Sequence, residues 1–323
     1  MNIYITGSIA YDYIMRYPGE FKEMLEGNLD DLSVSFLVDD LTRQRGGVAP
    51  NIAYTLALLG ERPVLVGTAG HDFGEYKQFL DEIGVDTRGV RIQEDLFTAS
   101  FFVSTDQINN QIGSFYIGAM ARARDLALSD VVNGSLPDLV VISPNDPQAM
   151  RNIIAECKDL GIRYLYDPSQ QIARMDGPEV AEGVEGAYLL VVNTFEHEAL
   201  CRKAGLTPDD LLNMAENVIV TRGKNGADFF TSDGLIHVPV YPTETIIDPT
   251  GVGDAFRSGL LKGLSAGWSW ELTGRVASLA AAYTLEKVGP QNHHFTPQEF
   301  VARFRKEFDD QGALDAWLAE SES

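Results

Sequence analysis

The chain has 323 residues, 45% of them apolar, and carries a formal charge of −22 at pH 7. That length makes one large domain, or one domain with a small appendage. So acidic a surface repels nucleic acid and anionic membranes, no apolar run reaches bilayer-spanning length, and Cys157 and Cys201 show neither disulfide-framework nor metal-ligand spacing.

Ile3–Thr6 reads as a first strand, entered directly from Met1 without the basic region of an export signal, which predicts a cytoplasmic protein. Ser33–Val38 reads as another strand. Pro50 to Leu59 is a helix that starts at a proline and stops at Gly60. Val64-Leu65-Val66 is a buried strand, and Glu75–Ile83 an amphipathic helix ended by Gly84. Ala99–Ser104 and Gln111–Tyr116 flank a polar turn and read as a hairpin. Leu139–Ile142 is a strand, followed by a helix from Pro147 to Leu160. Tyr164–Tyr166, Leu189–Val192 and Val218–Val220 are further strands with helical stretches between them. Helices follow at Val252–Leu264, Trp270–Lys287 and Pro297–Phe308, and the acidic tail from Gly312 to Ser323 is expected to fray. The five histidines show no zinc spacing, and His293-His294 reads as a surface pair. The β-α alternation predicts a mainly parallel sheet covered by helices on both faces. Strands at about 13–45 and 94–118 break the rhythm and predict a small sheet projecting over the main one.

The most informative stretch is Asp248-Pro249-Thr250-Gly251-Val252-Gly253-Asp254-Ala255-Phe256. Phe256, Leu260 and Leu264 recur at helical spacing, so a helix begins near Val252. The free amides of its first turn, with the helix dipole, suit a phosphoryl group in flight. Asp254 stands at the mouth of this anion hole, where a carboxylate takes a proton from an attacking hydroxyl. A lone Gly-x-Gly-Asp reads better as a glycine turn with an acidic first helical turn. The whole frame, entered from a strand-like end, resembles the C-terminal signature of the ribokinase-like (PfkB) carbohydrate kinases. The resemblance implies a three-layer α/β fold with a small β-sheet lid, and a single kinase domain over the whole chain. It makes Asp254 the catalytic base and Gly251, Val252 and Gly253 the anion hole, with ATP and Mg²⁺ as cofactors. A requirement for a monovalent cation stays open.

Other motifs fall in the order that family has. Asp12, shortly after the first strand, can accept two donors from a vicinal diol. Gly46-Gly47 permits close backbone approach to a ligand, and Asn51 offers both donor and acceptor. In the family these form a sugar site. Gly67, Gly70 and Gly74 have the wrong spacing for a dinucleotide fingerprint and match a structural turn instead, and no P-loop is present. Asn193-Thr194-Phe195-Glu196 reads as a helix N-cap box and also resembles the family's Asn-x-x-Glu motif, which holds Mg²⁺ through water. Thr221, Gly223 and Gly226 resemble the turn that approaches the nucleotide, where Arg222 or Lys224 could screen phosphate or simply be solvated.

Within the family, Ser8, Ser35 in its Val34-Ser35-Phe36 run, Phe101, Phe115, and Gln170 and Gln171 of Asp167-Pro168-Ser169-Gln170-Gln171 resemble the adenosine kinases of bacterial type. That likeness implies two lid phenylalanines sandwiching a purine and a glutamine contacting it. The same phenylalanines also read as core residues of the lid sheet. The function implied is ATP-dependent phosphorylation of the 5′-hydroxyl of adenosine or a related nucleoside. A ribokinase or ketose-type sugar kinase of the same fold is the alternative. The exposed lid face is a candidate surface for a homodimer.

Overall fold

The computed structural model describes residues 1–25, 35–132 and 134–321. In chain order β1 (Ile3–Thr6), β2 (Ala10–Arg16), α1 (Phe21–Leu25), β3 (Asp40–Gly46), α2 (Val48–Leu58), β4 (Val64–Gly70), α3 (Gly74–Glu82) and β5 (Asp86–Gln93) lead to the hairpin β6 (Ala99–Thr105) and β7 (Gln111–Tyr116). Next come β8 (Leu139–Ile142), α4 (Pro147–Leu160), β9 (Arg163–Tyr166), α5 (Gly177–Val184), β10 (Leu189–Asn193), α6 (Thr194–Ala204), α7 (Pro208–Met214), β11 (Val218–Thr221), β12 (Ala227–Thr231) and β13 (Gly234–Val238). The chain ends in α8 (Val252–Ala266), α9 (Trp270–Leu285), α10 (Pro297–Phe304) and α11 (Asp315–Ser321).

The main sheet has the order β13-β12-β11-β10-β9-β8-β1-β4-β5, parallel from β11 to β5 and antiparallel at β12 and β13. Every residue of β1 and β8 is buried, as central parallel strands require. Alternation sends Ile5, Leu65 and Val141 against Ile52 and Leu56 of α2 and Leu260 of α8. Tyr4, Val66 and Val140 face the other way, with Ile153 and Cys157 of α4. Local chemistry sets the helix ends. The Asp146 carboxylate accepts from Ala149 N–H at 3.1 Å, Pro147 opens α4, and Gly161 closes it at φ 66°. Helices α8 and α9 touch so closely that a Cβ on Gly259 would lie 2.3 Å from Ala277 Cα. From β1 the chain winds out to β4 and β5, then returns to β8 on the other side. Ligands collect at such a switch point, outside the C-terminal strand ends.

The small sheet has the order β3-β2-β6-β7, with β2 and β6 parallel. Its register sets Gln44, Asp12, Phe101 and Phe115 in one row across all four strands, on one face. The neighbouring rows place Leu41, Tyr13, Phe102, Ile112 and Tyr116 on the opposite face.

Three expectations are corrected. Ser33 and Val34 lie outside the described residues, and Ser35–Val38 carry no strand. The strand is β3, whose polar sequence Asp-Leu-Thr-Arg-Gln-Arg-Gly hides it from an apolar pattern. An edge strand tolerates such charges and is protected by them. The tail does not simply fray: α11 forms, with Leu314 and Trp317 buried against Phe300. His293 is no surface residue. It is fully buried, its ring bonded to Thr55 Oγ1 at 3.0 Å, while His294 is exposed.

Candidate active site

Helix α8 starts at Gly251, which has φ 76° and lies against Pro290; a Cβ there would come 2.4 Å from Pro290 Cβ. Only glycine satisfies both demands. The Asp248 carboxylate shapes the approach, accepting from Thr250 N–H at 2.9 Å and Gly289 N–H at 2.8 Å. Burial opposes its charge, but these bonds hold its pKa below the ordinary value. Amides at this helix start lack intrahelical acceptors. Val252 N–H makes only a 3.3 Å contact to the Pro249 carbonyl, which a better acceptor would displace.

Asp254, in the first turn of α8, is half-buried and forms no ion pair among the described residues. Its Oδ2 accepts from Asn51 Nδ2 at 2.9 Å. Burial raises its pKa, and Glu196 raises it further, while Arg257 and the Asn51 amide hold it back. A carboxyl with a raised pKa and an open oxygen is equipped to take a proton. Asn51 Oδ1 accepts from Gln291 Nε2 at 2.7 Å, and Gln291 also reaches Tyr76, whose hydroxyl donates to the Gly46 carbonyl at 2.9 Å. Asn51 keeps one amide hydrogen and one lone pair for a ligand.

Asp12 lies beside this centre. Burial, then the nearby Asp248, push its carboxyl up to about 6. Gly46 makes room for it, since a Cβ there would sit 2.5 Å from Asp12 Oδ2. Gly47, at φ 92°, packs on the Ser8 carbonyl, and Ser8 Oγ accepts from Val48 N–H at 3.3 Å. Phe101 and Phe115 are 37% and 48% exposed and are register partners on the Asp12 face. Ser35 is exposed, and none of the described contacts joins it to the other candidates.

The C-terminal ends of β9, β10 and β11 supply the rest. Gln170 is exposed on the turn after β9, and Gln171 is buried with Oε1 unpartnered among the described contacts. Asn193 and Glu196 form a capping box: Asn193 Oδ1 accepts from Glu196 N–H and Glu196 Oε2 from Asn193 N–H, each at 2.8 Å. Ser169 Oγ donates to the other Glu196 oxygen at 3.1 Å. No group of three or more acidic, histidine or cysteine side chains among the described residues could cage a metal. A single carboxylate and an amide fit Mg²⁺, which keeps most of its waters and takes other oxygens from phosphates. Thr221 ends β11, Gly223 opens the following turn, and Gly226 presses on the Val238 carbonyl. Arg222 is tied to Asp228 at 2.6 Å.

Sequence reading missed two participants. Arg257 is buried behind Asp254 in an ion pair with Asp167. Gln291 is a buried partner of Asn51. The helical spacing of Arg257 from Gly253 was visible, but its partner 90 positions away was not.

Residues 6–297 match the pfkB family carbohydrate kinases. The nucleoside kinase of Methanothermobacter thermautotrophicus is 30% identical over 303 residues, covering 93% of this chain and 94% of that protein. The nucleoside kinase of Burkholderia thailandensis, solved in complex with inosine, is 36% identical with a TM-score of 0.84, covering 95% of this chain and 97% of that one. The ribokinase of Thermotoga maritima, 20% identical with a TM-score of 0.76 over 94% of this chain and 99% of that one, shares the fold. No helix among the described residues is long and apolar enough to cross a membrane. With the glycine turn, the half-buried Asp254 and the ribokinase-like sheet in place, the chain belongs to the pfkB family of carbohydrate kinases, ATP-dependent enzymes that phosphorylate a hydroxyl group.

Proposed function

We propose that this kinase phosphorylates the 5′-hydroxyl of a nucleoside, adenosine or a close relative. The row Gln44–Asp12–Phe101–Phe115 carries the reading. It sets a carboxylate suited to a ribose diol beside two exposed phenylalanines suited to a flat base. A bare sugar would leave both phenyl rings against water. The relatives point the same way, one a nucleoside kinase and another solved with inosine.

In this reading Asp12 and the remaining hydrogen-bonding positions of Asn51 hold the ribose, and Ser8, Ser35, Gly46 and Gly47 border it. Gln170 and Gln171 are the candidates for contact with the base. Asp254 takes the proton of the 5′-hydroxyl as its oxygen bonds to the γ-phosphorus and ADP leaves. The Gly251, Val252 and Gly253 amides face the charge that builds on the transferring group. Thr221, Gly223 and Gly226 turn their backbone toward the nucleotide. When bound, Mg²⁺ neutralises phosphate oxygens, and Asn193 and Glu196 would hold it through water. The small sheet acts as a lid that excludes water from the phosphoryl group. Its outer face exposes Leu41, Phe102, Ile112 and Tyr116 and is proposed to meet a second copy of the chain. We place the enzyme in the cytoplasm, where Cys157 and Cys201 stay reduced.

The test is ADP release from ATP and Mg²⁺ with adenosine, inosine, ribose and fructose, repeated in Na⁺, K⁺ and choline buffers. Turnover with nucleosides, giving a 5′-monophosphate by phosphorus NMR, is the expected result. Turnover confined to free sugars would make this a ribokinase or ketose-type kinase.

A further inference from the structure

Arg257 is 7% exposed, and its partner Asp167 is 1% exposed. Three carboxylates surround the guanidinium: Asp167 at the end of β9, Asp254 one turn back on α8, and Glu196 at the start of α6. Arg257 Nη2 donates to Asp167 Oδ1 at 2.6 Å, and Nη1 donates to the Gly253 carbonyl at 2.9 Å. Asp167 is anchored in turn, its N–H donating to the Ile142 carbonyl of β8 at 2.9 Å. Stability does not account for such a pair, because well-packed apolar side chains of equal volume serve as well or better in a protein interior. The geometry does account for it. The fork joins the last residue of the anion-hole turn to the C-terminal edge of the main sheet.

We propose that Arg257, locked by Asp167, is a positioning residue for phosphoryl transfer, holding the Gly251–Gly253 turn with its amides outward and keeping Asp254 ionised beside Glu196. The proposal rests on the roles given above to Asp254 and the glycine turn. Two effects follow. Arg257 reaches both Asp167 and the Gly253 carbonyl because its guanidinium is a rigid fork, which a lysine ammonium is not. Arg257 is also the cation that lowers the pKa of Asp254, whereas burial keeps the Asp167 carboxyl raised in spite of it. Losing Arg257 alone leaves Asp167, Asp254 and Glu196 together in a buried space, and like charges raise one another's pKa. Asp254 then protonates at higher pH and stops acting as a base. Losing both members of the pair also leaves Asp254 without its nearby cation and the Gly253 carbonyl unheld.

The experiment compares wild type with Arg257→Lys, Arg257→Met and the double variant Arg257→Met, Asp167→Leu, using kcat, KM for nucleoside and ATP, and the pH profile of kcat/KM. Wild-type turnover on nucleosides is measured first, and its absence would reject the proposed function, separately from this inference. Arg257→Met is expected to lose about tenfold or more in kcat with little change in nucleoside KM, and to move the acid limb up by about one pH unit. The double variant lacks the same cation, so it should keep the displaced acid limb and the low kcat. Arg257→Lys keeps the charge, so its acid limb should stay put while kcat falls. If Arg257→Met does not fold, the other two variants decide. Wild-type kcat and pH profiles in the folded variants would overturn the proposal, as would an acid limb displaced as far in Arg257→Lys as in Arg257→Met.

Discussion

Asn51 Nδ2 donates to Asp254 Oδ2 at 2.9 Å, joining α2 to α8 across 203 positions of the chain. The same side chain passes through Gln291 to Tyr76 and the Gly46 carbonyl, at the root of β3. The Asp254 carboxyl is therefore bonded, link by link, to the last residue of β3 in the small sheet. The small sheet and the proposed base are thus joined in one hydrogen-bond network, and such networks respond to loss of a member as a unit.

Asp254→Asn keeps the shape of that network, because the new amide oxygen still accepts from Asn51. It removes only the ability to take a proton. Turnover should fall about a hundredfold to ten-thousandfold, the usual size of a general-base contribution. Nucleoside affinity, read by isothermal titration calorimetry, should stay near wild type. Near-normal turnover would assign the base to another group.

Gly251→Ala tests the anion hole through its backbone. The residue holds φ 76°, and a methyl group would meet Pro290 Cβ at 2.4 Å. The left-handed conformation alone costs an alanine about 1–2 kcal/mol, and the clash adds to it. The tip of α8 must shift, and a small shift of catalytic donors is expensive in rate. Thermal melting should drop modestly while kcat drops by more than the stability loss explains. A folded variant with unchanged kcat would show that these amides do not face the transferring group.

Buried strands were legible in the sequence because burial on both faces makes them continuous apolar runs. Leu139–Ile142 and the helix from Pro147 to Leu160 appear with the bounds expected, the latter because Asp146, Pro147 and Gly161 punctuate it chemically. The Asp254 motif was legible because glycines and acids at a helix start carry their own reason. What stayed hidden is long-range. Polar β3 is a strand only because β2 offers it a ladder. His293 looked like a surface residue until Thr55, from distant α2, enclosed it. The Arg257–Asp167 pair depends on where β9 ends relative to α8, which no local pattern records.

His293 should govern part of the acid stability. Burial, then its neighbour His294, push its pKa down to about 4 from 6.5. Between those values the unfolded chain binds a proton that the folded chain refuses. Its contribution is therefore complete above about pH 6.5 and is lost as pH falls toward 4, amounting to about 3 kcal/mol. His293→Gln fills much of the same space without titrating. Its melting temperature should be lower than wild type at pH 7.5, since the bonds to Thr55 and Thr284 are disturbed. Its slope between pH 6.5 and 4 should be visibly shallower. An unchanged slope would mean that His293 does not carry this proton linkage.

Asp12 runs the opposite way, and its two effects separate binding from stability. Its pKa rises from 3.8 to about 6 through burial and the charge of Asp248. The folded chain holds this proton more tightly than the unfolded one, so stability falls as pH rises from about 4 to about 6 and stays reduced above. The penalty at pH 7.5 is about 1–2 kcal/mol once partial solvent contact is allowed for. Asp12→Asn should therefore melt higher than wild type at pH 7.5, by a few degrees. Nucleoside binding should move the other way. The ionised carboxylate accepts both hydroxyls of a ribose diol, whereas the amide offers one oxygen. Wild-type affinity should weaken as pH drops from about 7 to about 5 and the carboxylate protonates. The Asn variant should bind weakly across that range with no such inflection. A variant that binds as tightly as wild type, with the same pH dependence, would remove Asp12 from the nucleoside site and leave it a buried acid with only a stability role.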